Sequence, residues 1–132
     1  MTIATVAFGA ITVVGCGEVV RRNRKRLVHS SSAIRHTVAL TLVATWLVIG
    51  MLFVMVFWAL FLVALGVFNN LESSLYFSMI SFTTLGFGDV ILPPQWRLLS
   101  GFIAIDGFFL FGLNTAFVFE VLRRLRDGAD GN

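Results

Sequence analysis

Three apolar runs separated by polar stretches set the plan of this chain. They cover residues 1–17, 38–68 and 98–119, and the second run contains no charged residue. A helix needs about 20 apolar residues to cross the roughly 30 Å hydrocarbon layer of a bilayer. The second run is long enough to cross with tilt, the third fits well, and the first is marginal in length. The pattern predicts three membrane-spanning helices.

Composition favours a membrane protein over a soluble domain. Of the 132 residues, 58% are hydrophobic and 13% are charged, whereas an ordinary soluble domain is about a quarter charged. We therefore expect an all-α integral membrane protein without a separate soluble domain. One cysteine, two histidines and scattered carboxylates offer no catalytic cluster, so we expect neither an enzyme nor a cofactor.

Positive charge predicts the orientation of the spans. Nine of the ten Lys and Arg residues fall within 21–35 or 123–126, and cytoplasmic flanks of membrane spans collect Lys and Arg. Both clusters lie on the cytoplasmic side of the cell membrane if the N-terminus is outside and the C-terminus is cytoplasmic. The first cluster can also contact anionic lipid headgroups; its residues are Arg21, Arg22, Arg24, Lys25 and Arg26.

The first apolar run has the charge order of an uncleaved span. A signal peptide carries its positive charge ahead of the apolar core, whereas the basic cluster here follows the core. We expect a transmembrane helix over 1–20, and an amphipathic or re-entrant segment is the alternative.

The stretch between the second and third runs predicts a short helix. Asn70 is a good N-cap, and Glu72 in the first turn is favoured by the helix dipole. The predicted helix over Leu71–Phe82 has about three turns, which is too few to span a membrane. The chain must therefore enter the membrane part-way and return to the same side. The non-helical residues that follow the helix must be buried in protein or line water.

Gly86 and Gly88 indicate what that continuation does. Glycine reaches left-handed backbone conformations without steric cost, so glycines alternating with Leu85 and Phe87 can turn successive carbonyls to one side. A row of carbonyls facing an axis replaces the water around a dehydrated cation. One chain supplies only one wall, so a ring needs several chains. The C-terminal end of the preceding helix favours a cation in the central cavity.

The segment "TTLGFGD", residues 83–89, resembles the signature of potassium channels, commonly written TTVGYGD. Over roughly residues 37–124, the order of span, short helix, filter and span resembles the two-helix pore module of tetrameric potassium channels. The resemblance implies a re-entrant pore helix and a selectivity-filter loop between the second and third spans. It also implies a potassium-selective homotetramer, in which potassium ions are the permeant ligand and the first span is an addition to the module.

The resemblance assigns site residues to three roles. The filter that binds ions comprises Thr84, Leu85, Gly86, Phe87 and Gly88, with K+ held at the first four. Residues that support the filter are Thr83, Asp89, Tyr76 and Phe77. Gly107 matches the hinge glycine of the inner helix and Gly112 a second small position near the helix crossing. The gating or cavity group also includes Asp106, Phe111 and Asn114, which are assigned from their positions in the third run and not from the resemblance.

The filter region departs from the family pattern at two positions. Phe87 replaces the usual Tyr, so a hydroxyl that commonly tethers the filter is absent. Ile80 stands where some family members carry a Glu paired with the filter acid, so that pair cannot form. We expect the Tyr76 hydroxyl to reach Asp89 instead, while Phe77 packs on Phe87.

Asp106 is the unexpected residue of the third run. A carboxylate in mid-span costs about 2.5–3.5 kcal/mol or more. It lies about 100° around the helix from Gly107, at the edge of a cavity-facing stripe. It either attracts cations to the cavity or responds to pH, or it bonds to a neighbour such as Ser81 or Thr83.

Two other residues of the third run are candidates for the pore. Asn114 either lines the inner pore or bonds between helices, and Phe111 is the best candidate for narrowing the pore.

The predicted organisation has six parts. These are an N-terminal transmembrane helix (1–20), a basic cytoplasmic linker (21–36), an outer transmembrane helix (37–68), the pore helix, filter and outer turret (69–97), an inner pore-lining helix (98–122) and a short cytoplasmic tail (123–132). Two other functions stay open: a weakly selective cation channel, and a non-conducting membrane subunit with the same pore shape.

Overall fold

The computed structural model describes residues 33–130 and five helical residues ahead of them: Ala7, Gly9, Ile11, Val14 and Gly15. Within residues 33–130 the regular structure is entirely helical. Helix α1 covers Ala33–Ala64, α2 covers Leu71–Phe82 and α3 covers Arg97–Asp130, and a 3-10 turn at Pro94–Trp96 leads into α3. Two stretches, Leu40–Ala64 and Pro94–Arg123, are long and apolar enough to cross a membrane.

The bounds of α2 agree with the prediction, and those of the long helices differ. Helix α1 begins at Ala33 rather than at 37 and ends at Ala64 rather than at 68. Helix α3 continues to Asp130, so the predicted tail over 123–132 is helical in most of its length. The predicted span 1–20 and linker 21–36 lie almost wholly outside the described residues, and the three-span count stays a prediction.

A Schellman motif ends α1. The Gly66 N–H donates to the Val63 carbonyl at 2.9 Å, and the Val67 N–H donates to the Leu62 carbonyl at 3.1 Å. Gly66 has a φ of 70°, the left-handed conformation that this motif requires and that glycine adopts most easily. The motif explains why the helix stops before the apolar run does.

Helix α2 is held between the two long helices. The Asn70 side chain accepts a hydrogen bond from the Ser73 N–H at 2.7 Å, which confirms the predicted N-cap. One turn later the Ser74 hydroxyl donates to the Ala59 carbonyl of α1 at 2.7 Å. This bond satisfies a hydroxyl that is fully buried and would otherwise destabilise the packing.

The main core lies where all three helices meet. Its buried members are Val54, Met55, Trp58, Leu62, Phe77, Phe82, Leu92, Ile103 and Leu110. A smaller cluster of Val43, Leu47 and Val121 joins the other ends of α1 and α3.

Two glycines allow close approach between segments in this packing. A Cβ at Gly107 would overlap the backbone carbonyl of Phe82, the last residue of α2. A Cβ at Gly9 would overlap the side chain of Leu110 in α3. At Gly9, therefore, the N-terminal segment packs on its own chain.

Gly107→Ala is expected to destabilise the fold. A methyl group at Gly107 meets a backbone carbonyl rather than a flexible side chain, and overpacking of this kind costs about 1–3 kcal/mol. The measurement is the free energy of unfolding in detergent micelles. Gly101→Ala is the matched control, because nothing lies within 4 Å of a Cβ at that position of the same helix. Equal stability of the two variants would contradict the close contact.

Candidate functional site

The turn after α2 repeats the hydrogen-bond pattern of the turn after α1. The Thr84 N–H donates to the Ser81 carbonyl at 3.0 Å, and the Leu85 N–H donates to the Ile80 carbonyl at 2.9 Å. Thr84 thus takes the position that Gly66 fills after α1, with a φ of 59°. A β-branched residue in this conformation is a genuine outlier and costs about 1–2 kcal/mol. Backbone strain of this kind clusters at functional sites.

In the segment that follows α2, residues 83–89, residues with a left-handed backbone alternate with residues whose φ is negative. The φ angles are 59° at Thr84, 51° at Gly86 and 79° at Gly88, with Leu85 and Phe87 between them. The left-handed conformation predicted for the two glycines is confirmed, and Thr84 extends the pattern by one position. A Cβ at either glycine would have nothing within 4 Å, so glycine is required there by conformation and not by space.

The orientation of the Thr84 and Leu85 carbonyls follows from two hydrogen bonds. The Ile80 carbonyl accepts from the Leu85 N–H at 2.9 Å and from the Gly86 N–H at 3.0 Å. The described chain contains no cis peptide bond, and in a trans peptide the C=O points opposite to the N–H. The carbonyls of Thr84 and Leu85, which share these two peptide units, therefore point away from α2.

Both threonines of the segment bond to nearby backbone. The Thr83 hydroxyl donates to the Met79 carbonyl at 2.8 Å, and the Thr84 hydroxyl donates to the Thr83 carbonyl at 2.6 Å. The Met79 carbonyl also accepts from the Thr83 N–H at 3.0 Å, whereas the Thr83 carbonyl lies just past the end of α2, where carbonyls lack a partner within the helix.

The C-terminal end of the segment, at Asp89, is tied to α2 by a side-chain hydrogen bond. The Tyr76 hydroxyl donates to Asp89 Oδ2 at 2.6 Å, so this predicted contact is confirmed. The bond lowers the pKa of the Asp89 carboxyl below its ordinary 3.8. It also raises the pKa of Tyr76 above 10.0, with smaller contributions from burial and from the charge of Asp89.

The predicted packing of Phe77 on Phe87 is wrong within the single chain. The Phe77 ring lies 5.5 Å from the Phe68 ring, centroid to centroid, and is buried in the main core. Phe87 is 67% exposed. The buried position between α1 and α2 draws Phe77 away from the filter, and the alternating backbone turns Phe87 outward.

Asp106 lies inside the chain rather than at a cavity edge. It is fully buried, and its Oδ2 accepts a hydrogen bond from Trp58 Nε1 of α1 at 3.0 Å. Its partner is therefore not Ser81 or Thr83, as the sequence suggested. The stripe of α3 that carries Asp106 and Gly107 faces α1 and α2, so the cavity-facing assignment is wrong for this side chain.

The other residues of the gating group lie on different sides of α3. Gly107 is buried against Phe82, and α3 continues through it without a break. Phe111 is half-exposed, and its ring centroid lies 6.4 Å from that of Phe82. Gly112 is exposed, with open space around it. Asn114 is half-buried, seven residues beyond Gly107 and thus on nearly the same side of the helix.

A cavity of about 370 Å³ lies beside the outer half of the segment. Its lining includes Phe77, Ile80, Gly86, Gly88, Leu92 and Arg97. In the part of the chain that the structure describes, no group of three or more His, Cys, Asp or Glu side chains could hold a metal ion.

The arrangement defines a class of membrane protein. Two helices long enough to span a bilayer flank a short helix, and the loop after that helix turns the carbonyls of Thr84 and Leu85 away from it. This arrangement is typical of channels.

Comparison with known proteins gives the family. Residues 41–124 match the model of a family described as "Ion channel", and the chain belongs to that family. Over 88 residues it is 33% identical to "TWiK family of potassium channels protein 18" of Caenorhabditis elegans, a match that covers 63% of this chain and 19% of that protein. The chain thus spans about a fifth of the length of this relative. No solved structure matches the chain.

These matches confirm the resemblance to channels with a two-helix pore module. The match puts the chain in a channel family and not in an enzyme family, and its two long apolar helices agree with a membrane protein.

Sequence reasoning missed three features of the site. It did not pair Trp58 with Asp106, although each is a polar group in an otherwise apolar run, and a buried indole N–H needs an acceptor. It did not place Phe82 against Gly107. It expected left-handed backbone only at glycines, and nothing in the sequence marks Thr84 for that conformation.

Tyr76 offers a direct titration of the filter contact, because it is the chain's single tyrosine. Asp89→Asn is expected to lower the pKa of Tyr76, since the hydrogen bond to a carboxylate and the charge beside the tyrosinate are both removed. The measurement is tyrosinate absorbance against pH in micelles. The native contact is kept below pH 10.0 and is lost as pH rises through the raised tyrosine pKa.

At the acid end, the same contact is lost only as pH falls through the lowered pKa of Asp89, below 3.8. Glu120→Gln, a neutralised acid on α3, is the control and should leave the tyrosine titration unchanged. An Asp89→Asn curve that coincides with that of the native protein would refute the contact.

Proposed function

We propose that the chain assembles as a homotetramer into a potassium-selective channel. Thr84, Leu85, Gly86, Phe87 and Gly88 form its filter, and dehydrated K+ is the permeant ligand at the first four. The alternating backbone of residues 84–88 is the observation that carries this proposal. Four such segments around an axis would present rings of carbonyls that replace the hydration shell of the ion.

The re-entrant placement of α2 follows from its length and its surroundings. With 12 residues it is too short to span a bilayer, and it packs between the two helices that are long enough to do so. We place it part-way into the membrane from the outer side, between the spans Leu40–Ala64 and Pro94–Arg123. Its C-terminal end then points its negative dipole towards the ion path.

Assembly around an axis is supported by what the single chain leaves uncovered. Phe87 is 67% exposed and lies between Gly86 and Gly88, which line the cavity. Helix α3 carries a further row of exposed phenylalanines, including Phe102, Phe108 and Phe109. Apolar surface of this extent is covered by lipid or by further chains, and the filter wall of one chain is incomplete without others.

The remaining site residues have supporting roles in this proposal. Thr83, Tyr76 and Asp89 hold the filter through the bonds described above, and Phe77 anchors α2 in the core. Gly107 allows close approach of α2, and Gly112, which is exposed in the single chain, would allow close approach of a neighbouring chain. Asn114 bonds between helices or lines the inner pore. Phe111, beside Phe82, is our candidate for a side chain that narrows the path.

The proposed orientation follows the basic residues. The N-terminus is outside and the C-terminus is cytoplasmic, which puts the filter at the outer face of the cell membrane. Anionic headgroups would contact Arg21, Arg22, Arg24, Lys25 and Arg26, which lie outside the described residues.

A weakly selective cation channel is the second candidate. The observation that favours it is the reduced bracing of the filter, because Phe87 lacks a hydroxyl and Ile80 cannot pair with Asp89. The hydrogen bond from Tyr76 and the intact Gly-Phe-Gly core weigh against it. A non-conducting subunit with the same pore shape remains the third alternative.

The deciding experiment is ion flux through purified protein in liposomes. Potassium flux is expected to exceed sodium flux clearly. Gly86→Ala should abolish it, because a Cβ at a φ of 51° costs about 1–2 kcal/mol and distorts the carbonyl row. Equal fluxes of the two ions would favour the weakly selective channel, and absence of flux in the native protein would favour the non-conducting subunit.

Thr84 provides a second test, because its strain and its hydroxyl can be separated. Thr84→Gly relieves about 1–2 kcal/mol of backbone strain in the folded chain. Part of this gain in stability is offset because glycine has more conformational freedom in the unfolded chain. Its free energy of unfolding should lie within about 1 kcal/mol of the native value, while potassium selectivity falls. Thr84→Ala keeps the strain, loses the hydroxyl and should be the less stable of the two. Unchanged selectivity in both variants would remove Thr84 from the filter.

A further inference from the structure

Adjacent residues of α1 are hydrogen-bonded to the two other helices. Trp58 donates from Nε1 to Asp106 of α3 at 3.0 Å, and the Ala59 carbonyl accepts from Ser74 of α2 at 2.7 Å. Exposure is 1% for Trp58 and zero for the other three. All three helices are therefore joined by directional bonds at one buried level.

This junction lies next to the start of the filter. Gly107 directly follows Asp106 and touches the Phe82 carbonyl so closely that no Cβ fits between them. Phe82 ends α2, two residues before Thr84. Because a helix is stiff over one residue, whatever holds Asp106 also holds Gly107 against the end of α2.

A carboxylate is an unfavourable choice for this place. Placing an acidic side chain within a membrane span costs free energy that a leucine would not. The buried Trp58 N–H is a donor that needs an acceptor. In some proteins a buried hydrogen bond between fixed partners specifies the register of two helices more strictly than apolar packing does. The pair therefore sets position at a cost in stability.

We propose that Asp106 is a positioning residue for the filter. Its hydrogen bond with Trp58 fixes α3 on α1, keeps Gly107 against the Phe82 carbonyl and so maintains the strained turn at Thr84. It acts through α3 and not by attracting ions, because its carboxyl is enclosed between helices. The inference rests on the proposed function, since it concerns how well the filter binds potassium.

The experiment measures potassium binding without requiring an open pore. Ions that bind the folded filter raise the melting temperature by mass action, so melting of the purified protein against KCl, with NaCl in parallel, gives an apparent potassium affinity. The variants are Asp106→Asn, Asp106→Leu and Trp58→Phe. Trp46→Phe is the matched control, the same substitution at an exposed position of α1, and Gly86→Ala is the control for loss of the filter.

Asp106→Asn keeps an oxygen that can accept from Trp58, so its potassium affinity should stay native. Asp106→Leu and Trp58→Phe each remove one partner and should weaken potassium affinity by about tenfold, a typical size for coupling between sites. Trp46→Phe should leave the affinity unchanged. If Asp106→Leu fails to fold, Trp58→Phe carries the same prediction with a smaller change in the core.

Two results would overturn the inference in distinguishable ways. Equal melting losses in KCl and NaCl, with native potassium affinity in Trp58→Phe, would show that the pair is structural only. A native protein that melts alike in both salts, and like Gly86→Ala, would refute the proposed filter itself and the inference with it.

Discussion

The carbonyl of Ile80 is the acceptor on which the geometry of the site depends. Two successive amides, those of Leu85 and Gly86, donate to it, and the chain leaves α2 by folding back on that oxygen. Since each amide shares a trans peptide with the carbonyl before it, the same bonds turn the next carbonyls outward. The end of α2, the strained Thr84 and the outward carbonyl row are thus consequences of one hydrogen-bonded turn.

Packing behind α2 holds that turn in place. Gly107 brings α3 into contact with the Phe82 carbonyl, and the Tyr76–Asp89 bond fixes the outer end of the segment. A loop with left-handed residues at three alternate positions has little stability of its own. Its conformation is maintained because both of its ends are tied to buried helices.

Features that depend only on residues close together in the sequence could be predicted from it. The N-cap of α2 needs only Asn70 and the amides that follow it, and the left-handed glycines need only the absence of a Cβ. The bounds of α2, the Tyr76–Asp89 contact and the family of the chain were accordingly predicted from residues 70–89. The ends of the long helices were less accurate, because an apolar run continues through a turn such as that at Gly66.

Contacts between distant residues were decided by the tertiary structure alone. The sequence determined two long apolar helices, a short capped helix and a glycine-containing turn, since these depend on periodicity, capping and backbone sterics. Only the folded chain decided that Asp106 faces Trp58, that Phe77 packs on Phe68, and that Thr84 adopts a conformation expected of glycine. The two contacts depend on how the helices are rotated against one another, and helix rotation is set by the complete packed core rather than by any one segment. The conformation of Thr84 depends on the turn at Ile80, which the packing behind α2 holds in place.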